Sequence, residues 1–299
     1  MWRARVEQPF ASRRVRSYIN KMMDTLAIVG VGLLGGSLAL AVKERKLAHR
    51  IIGISRSCES LTIAQQRGMI DEGYLEFPQT LEQATLAIVC TPVDSVVPLA
   101  ITLLERFPKL VVSDVGSTKA DIVAAIDRSW TYAKRFVGGH PLAGSEKSGP
   151  EHASSSLFQN RLMFLTPTDF SSSSTLKLLT DLWQNLGSKV VEINAVEHDA
   201  IMAMTSHLPH IASFALAGII TEEHMPYSGT GLRSMTRLAG GDPTMWTAIV
   251  MSNRQHLQTG VNQLQQWLAR FQQALENGNA CELNQLFHEG RKVHHALGS

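Results

Sequence analysis

The chain is 299 residues long, 44% hydrophobic and 18% charged, enough for one large core or two modest ones. Its net charge of +2 is unevenly spread: residues 1–24 hold six basic residues (Arg3, Arg5, Arg13, Arg14, Arg16, Lys21) against Glu7 and Asp24, leaving 22 basic and 24 acidic residues in the remainder. That balance excludes a nucleic-acid-binding body, and no uninterrupted apolar run reaches the ~18–20 residues of a membrane span. Cys58, Cys90 and Cys281 form no CxxC and cannot all pair, which suits a reducing, cytoplasmic setting. The basic leader has the charge of a transit peptide or a nucleic-acid arm. It lacks an apolar signal region, and a strand pattern starts directly after Asp24. It therefore reads as a disordered extension, or as residues upstream of a start at Met22 or Met23.

Residues 25–29 (TLAIV) form a short apolar run, followed by Gly30-Val31-Gly32-Leu33-Leu34-Gly35-Gly36-Ser37 and the apolar stretch 38–42. This reads as strand, G-x-G-x-x-G turn and helix. Gly30 allows the tight turn, Gly32 lets a pyrophosphate approach the backbone, and Gly35 lets helix and strand pack closely. The phosphates of a dinucleotide would then meet the free N–H groups at the helix start. The motif alone is weak. Its place between a strand and a helix, with a second strand at 51–54 about 20 residues on, makes it specific.

Apolar runs at 86–90, 110–113 and 136–137 fit parallel strands buried on both faces, with helices at 59–67, 94–106 and 119–127 between them. Late strands are expected at 162–165 and 189–193, and the serine run 171–174 is expected to be a surface loop. In an open α/β sheet, ligands bind beyond the carboxyl ends of the strands. The loops starting at Cys90-Thr91-Pro92, at Asp114 and at Gly138 should therefore converge on one crevice with the glycine turn.

The stretch 135–149 (RFVGGHPLAGSEKSG) carries the candidate chemistry. The strand is expected to break at Gly138-Gly139, which permit a tight turn and close approach to a ligand, and Pro141 to stop the sheet. His140 then stands on a loop at a strand end, where site residues collect. A lone histidine is more often packed or used to cap a turn. Here the upstream cofactor fingerprint implies a site that needs a base.

From residue 196 the periodicity is helical: 197–222, interrupted at Ser206-His207-Leu208-Pro209-His210, then 244–276 and 281–296. The expected architecture is an α/β Rossmann-like dinucleotide-binding domain (25–195) followed by an all-helical domain (196–299), with substrate at the interface, as is usual for such enzymes. The long apolar helices exceed what one small core can cover, which points to a homodimer through the helical domain. His207 and His210 share a helix face. With no third ligand at a convincing spacing they are not read as a metal site, and the alternative is a pair satisfied inside a Pro-kinked helix. Arg233 and Arg237 precede GGDPTMW, and either can be a solvated surface charge. Arg237 is the better candidate for a carboxylate clamp, since a planar guanidinium pairs bidentately with carboxylate.

GVGLLGGSLA, VGSTK, GGHPLAGSEKSG, SHLPH and TRLAGGDPTMW, in this order and at these separations, resemble the prephenate/arogenate dehydrogenase family of tyrosine biosynthesis, over residues 25–295. The resemblance implies a Rossmann domain coupled to a helical dimerisation domain. It implies oxidation of the ring alcohol of a cyclohexadienol, with hydride passed to NAD(P) and the ring carboxylate lost as CO₂. By the same resemblance His140 is the catalytic residue that hydrogen-bonds the ring hydroxyl, and Ser117 stands beside hydroxyl and nicotinamide. Arg237 grips the ring carboxylate, Glu146 lies at the mouth of the pocket, and His207 and Trp246 are on the substrate side. Gly30, Gly32, Leu33, Leu34, Gly35, Ser55, Arg56, Ser57, Thr91 and Pro92 are the expected cofactor-binding set. One departure concerns the acidic gate: relatives that have it often carry Asp three residues before the Arg, where this chain has Ser234. The sequence ends soon after its last helix, so inhibition by tyrosine, where it occurs, is expected at the active site and not through an ACT-type domain.

Prephenate is the first expected substrate and arogenate the second; they differ by a side-chain keto group against an ammonium, which Glu146 would favour by charge. The second strand ends Ile54-Ser55-Arg56-Ser57 with no acid until Glu59. An NAD-type fold places an acid there for the ribose hydroxyls, so NADP is expected over NAD, with the serines and Arg56 receiving the 2′-phosphate. The alternative is a solvated Arg56 and little discrimination between cofactors. Two further classes stand beside this reading. A non-catalytic redox-sensing nucleotide-binding module would need neither His140 nor Arg237. A β-hydroxyacid or imine reductase would show a catalytic Lys in the helical domain.

Overall fold

The computed structural model describes residues 23–144 and 147–298; the leader 1–22 and Ser145-Glu146 lie outside the described residues. The chain divides after Asn194 into two compact units. In the first, strands and helices alternate: β1 (Met23–Val29), α1 (Leu33–Glu44), β2 (Ala48–Ile54), α2 (Cys58–Gln66), β3 (Glu72–Tyr74), β4 (Leu86–Val89), α3 (Val93–Arg106), β5 (Val111–Asp114), α4 (Ala120–Asp127), α5 (Trp130–Ala133), β6 (Phe136–Pro141), β7 (Leu162–Thr166), α6 (Ser173–Asn185) and β8 (Lys189–Glu192). They build one sheet of order β3-β2-β1-β4-β5-β6-β7-β8. Every pairing is parallel except β6 with β7. Leu26, Ile28, Leu86 and Ile88 are fully buried, because β1 and β4 are central strands covered on both faces. Chain order reverses between β1 and β4, the point in an open α/β sheet where ligands bind beyond the carboxyl ends of the strands.

Three readings of this unit change. The strand expected to end at Val137 runs on to Pro141, because β6 exchanges partners: Phe136 and Val137 pair with β5, whereas Gly138 to Pro141 pair with β7 in the opposite direction. Pro141 is tolerated at the strand's last position. The serine run is not a surface loop but a helix start. Ser172 accepts a hydrogen bond from the Thr175 N–H at 3.1 Å and caps α6, while Ser171 donates to the Phe136 carbonyl at 3.2 Å. β3 escapes sequence reading because it is three half-buried residues on the sheet edge, with no apolar run.

The second unit is all helical among the described residues. α7 (Ala195–Met202), a π turn (Ala203–His207) and α8 (Leu208–Gly218) run on as one 24-residue helix. The expected interruption at 206–210 is thus absorbed inside a helix. Pro209 has no N–H to return to the preceding turn, and the π turn re-registers the backbone around that gap. By length and composition alone this helix is apolar enough to cross a membrane, and it is 22% buried. Ser206, His207, Pro209 and His210 interrupt the apolar run in the sequence, although the helix continues through them. α9 (Thr230–Thr236), α10 (Pro243–Ser252), α11 (Arg254–Glu276) and α12 (Ala280–Leu297) complete the unit. The pattern at 244–276 is two helices meeting at Asn253, not one. Ile219, Met235, Leu268, Leu275, Phe287 and Val293 are large apolar side chains left exposed.

Candidate active site

The glycine turn is built for close approach. Gly30 has φ 96°, and a Cβ there would lie 2.7 Å from the Cys90 carbonyl oxygen, so only glycine lets β1 and β4 end side by side. A Cβ on Gly35 would lie 2.1 Å from the Gly30 carbonyl oxygen, which ties α1 tightly to its own strand. Gly32 is different: a Cβ there would meet nothing within 4 Å. α1 starts at Leu33 and Leu34 with no side-chain cap and no acid in its first turn. Its free N–H groups therefore face open space, the arrangement a diphosphate requires. The residues present fit a nicotinamide dinucleotide.

The neighbouring strand ends supply the rest. Beyond β2, the Ser57 N–H donates to Ser55 Oγ at 3.2 Å, Ser57 Oγ caps α2 by accepting from Ser60 N–H at 3.1 Å, and Arg56 is exposed. Beyond β4, Thr91 Oγ1 accepts from Ser95 at 3.0 Å and Pro92 precedes α3. Beyond β5, Ser117 is half-buried on the loop into α4. His140, 8% exposed, stands opposite Phe164 in the β6–β7 ladder, not on a loop. The cofactor set, Ser117 and His140 thus line up along the ends of β2, β1, β4, β5 and β6. Glu146 lies outside the described residues.

Beneath Ser117 and His140 lies a buried ion pair that sequence reasoning left out. Lys119 and Asp114 are both fully buried and paired through Nζ and Oδ2. The same carboxylate accepts the Gly116 N–H at 2.8 Å and the Gly139 N–H at 3.1 Å. One carboxylate therefore joins the loop carrying Ser117, the start of α4 and the residue before His140. The double glycine is packed tightly: a Cβ on Gly138 would lie 2.6 Å from Thr166 Oγ1 and 3.2 Å from Lys119 Cδ, and one on Gly139 2.6 Å from Met163 Cε and 2.7 Å from the Asp114 backbone oxygen. Space, not turning, is what these glycines supply.

In the helical unit, His207 is 1% exposed and His210 half-buried, and both touch half-buried Trp246. His210 stacks on the indole with centroids 3.5 Å apart, and His207 meets it edge-on at 6.2 Å. Burial first, then the charge of Arg237, lowers the His210 pKa, so Arg237 is near enough to act on this cluster although it is exposed. Burial pushes His207 down to about 4, against an opposing pull from the Asp199 carboxylate. His207 Nδ1 lies 3.1 Å from the Asn253 amide nitrogen, and its Nε2 is buried with no hydrogen-bond partner among the described residues. His207, Arg237 and Trp246 are thus near one another; His210 and Asn253 join them unannounced by any spacing rule.

The nucleotide-binding domain of prephenate dehydrogenase matches residues 38–192 as a family model, and its dimerization domain matches residues 194–289. The chain belongs to the prephenate dehydrogenase family. It is a nicotinamide-dependent oxidoreductase acting on a small molecule. The prephenate dehydrogenase of Bacillus subtilis (strain 168) is 33% identical over 265 residues, 84% of this chain and 69% of that one. A crystal structure of prephenate dehydrogenase from A. aeolicus, in complex with hydroxyphenyl propionate and NAD+, matches with a TM-score of 0.86 at 30% identity, covering 93% of this chain and 99% of that one. Synechocystis arogenate dehydrogenase matches at 0.76 and 28% identity, over 91% and 99%.

Proposed function

We propose that the protein converts prephenate to 4-hydroxyphenylpyruvate and CO₂, with NADP as the preferred hydride acceptor. The observation that supports this reading is that the Asp114 carboxylate ties the loop carrying Ser117 to the residue before His140, at the same carboxyl edge of the sheet as an uncapped helix start. A nicotinamide ring supplies a two-electron acceptor for hydride. As hydride leaves the ring carbinol carbon, neutral imidazole at His140 takes the hydroxyl proton and the C–O bond becomes a carbonyl; imidazole has a suitable intrinsic strength near neutral pH. Ser117 hydrogen-bonds the same oxygen. The bond to the ring carboxylate then breaks, and its electron pair passes through the ring to that oxygen. The oxygen regains its proton from His140, the ring becomes aromatic, and CO₂ leaves. Arg237 anchors the carboxylate until its charge disperses.

NADP is preferred because no acid stands at the end of β2 to repel a 2′-phosphate, while exposed Arg56 and the hydroxyls of Ser55 and Ser57 are there to meet it. Arogenate is the competing substrate, as the Synechocystis relative's activity suggests. The purified protein assayed with prephenate and with arogenate, each with NAD and NADP, separates all four combinations. Turnover of arogenate alone would overturn the substrate assignment, and a higher kcat/KM with NAD the cofactor assignment. We also propose a homodimer through the helical unit, in line with its match to a dimerization domain and its exposed apolar side chains. A monomer in sedimentation at micromolar concentration would contradict it.

A further inference from the structure

Asn253 is 3% exposed at the corner between α10 and α11, an unusual place for an amide, and it is held from three sides. Its Nδ2 lies 2.7 Å from the Asp199 carbonyl oxygen and 3.1 Å from His207 Nδ1; its Oδ1 lies 2.9 Å from His256 Nδ1. A carbonyl oxygen can only accept. The amide must therefore turn its NH₂ toward Asp199, since the opposite orientation would set two acceptors against each other. The second hydrogen of that NH₂ then points at His207 Nδ1, which has to be the unprotonated nitrogen. In a neutral ring the proton is left on Nε2, the buried atom with no partner among the described residues.

We propose that Asn253 is a positioning residue that fixes His207 as a neutral imidazole with its proton on Nε2, so that this subsite takes a carbonyl or carboxylate oxygen of the substrate and rejects an ammonium. The inference rests on the reading of His207 as a substrate-side residue. The surroundings agree with a neutral ring. A proton on Nδ1 would face the Asn253 N–H, and the ring is buried in the π turn against the edge of Trp246. Of the charged and titratable groups around it, Asp199 favours a charged ring, while His198 and His210 oppose it. Arg237 acts on His210, and His256 lies beyond Asn253. A neutral N–H donor can meet an oxygen lone pair but has nothing to offer an N–H of the ligand.

The test uses the full chain labelled with ¹⁵N-histidine, its His207 signals assigned by their loss in His207→Gln. Long-range proton–nitrogen correlation should show Nδ1 bare and Nε2 protonated from pH 8 to below pH 6. Asn253→Asp replaces the donor by an acceptor, so Nδ1 should acquire a proton and the ring should titrate near neutral pH. KM for the substrate should then change with pH by about tenfold between pH 6 and 8, a dependence absent from the wild type. Asn253→Ser should loosen the tautomer and raise KM several-fold with kcat little changed. A purely structural Asn253 would move Tm and leave the nitrogen signals alone. Protonated Nδ1 in the wild type, or signals unmoved in both variants, overturns the proposal. The wild-type spectrum alone decides the tautomer if the variants do not fold. The expected spectrum from an enzyme that oxidises neither prephenate nor arogenate would instead sink the functional reading.

Discussion

The two units bury polar groups by different means. Beneath His140, a full ion pair is taken out of water: Asp114 and Lys119 are neutralised by each other and by two backbone N–H groups. Around His207, a neutral hydrogen-bond chain, in which an amide joins an imidazole, a backbone carbonyl and a second imidazole, stands beside a buried His198–Asp199 pair at 2.8 Å. A buried charge pair is rigid and unforgiving, because removing either partner strands the other. A neutral network tolerates change better but depends on every donor facing an acceptor. The charged cluster thus holds the residue before His140, the proposed base, and the neutral chain holds the ring whose Nε2 we propose presents its proton.

The strongest way to test the function of the charged side is at the residue it carries. His140→Asn keeps some hydrogen bonding but removes the base; kcat should fall by ~10² to 10⁴ while the dissociation constant for the cofactor stays nearly unchanged. Near wild-type turnover would remove His140 from its role. Lys119→Met attacks the pair itself and should destabilise the fold by about 3 kcal/mol or more in urea titration, since Asp114 is left buried without its counter-ion. A loss under 1 kcal/mol, a figure typical of about the best exposed pairs, would mean that water reaches the carboxylate.

The neutral side is best broken with acid. The folded His207 has a pKa of about 4, below its value of 6.5 when unfolded. Between those values the unfolded chain binds a proton that the folded one refuses, so stability is complete above pH 6.5 and lost as pH falls toward 4. The loss attributable to this ring is about 3 kcal/mol. His207→Gln should flatten that part of the pH–stability curve; an unchanged slope would assign it to other groups. Arg237→Ala should raise the substrate KM by ~10- to 100-fold through loss of a charge-assisted contact. If KM stays put, Arg233 is the next clamp to test. Smallest, Arg56→Ala should reduce the preference for NADP over NAD by ~10-fold, about the value of one charged contact at an exposed site.

What sequence alone conveyed follows from the same contrast. The G-x-G-x-x-G turn is legible because its function is backbone geometry over a few adjacent residues, where a missing Cβ is written directly in the letters. Gly138-Gly139 is legible as special, but the pattern points to a tight turn and close approach to a ligand, whereas inside the strand the two glycines clear space for Thr166, the Lys119 stem, Met163 and the Asp114 backbone. Nothing local marks Lys119 as buried, since a lysine at a helix start looks solvated. Asn253 is further out of reach, because its partner His207 lies 46 positions away and the contact exists only once three helices have met. Hydrophobic periodicity reports which face is inside, not which polar atoms find each other there.

The reversal of direction between β6 and β7 has a consequence in time. His140 is a rung in a ladder that runs from Gly138↔Thr166 to Pro141↔Met163, so its backbone moves only when that ladder opens. Loop-borne side chains sample geometries on the nanosecond scale; the backbone of His140, the proposed base, is clocked by cooperative sheet opening, orders of magnitude slower. In hydrogen–deuterium exchange, the amides of β7 should act as a stopwatch for the base. On heating, activity and β7 protection should fade together.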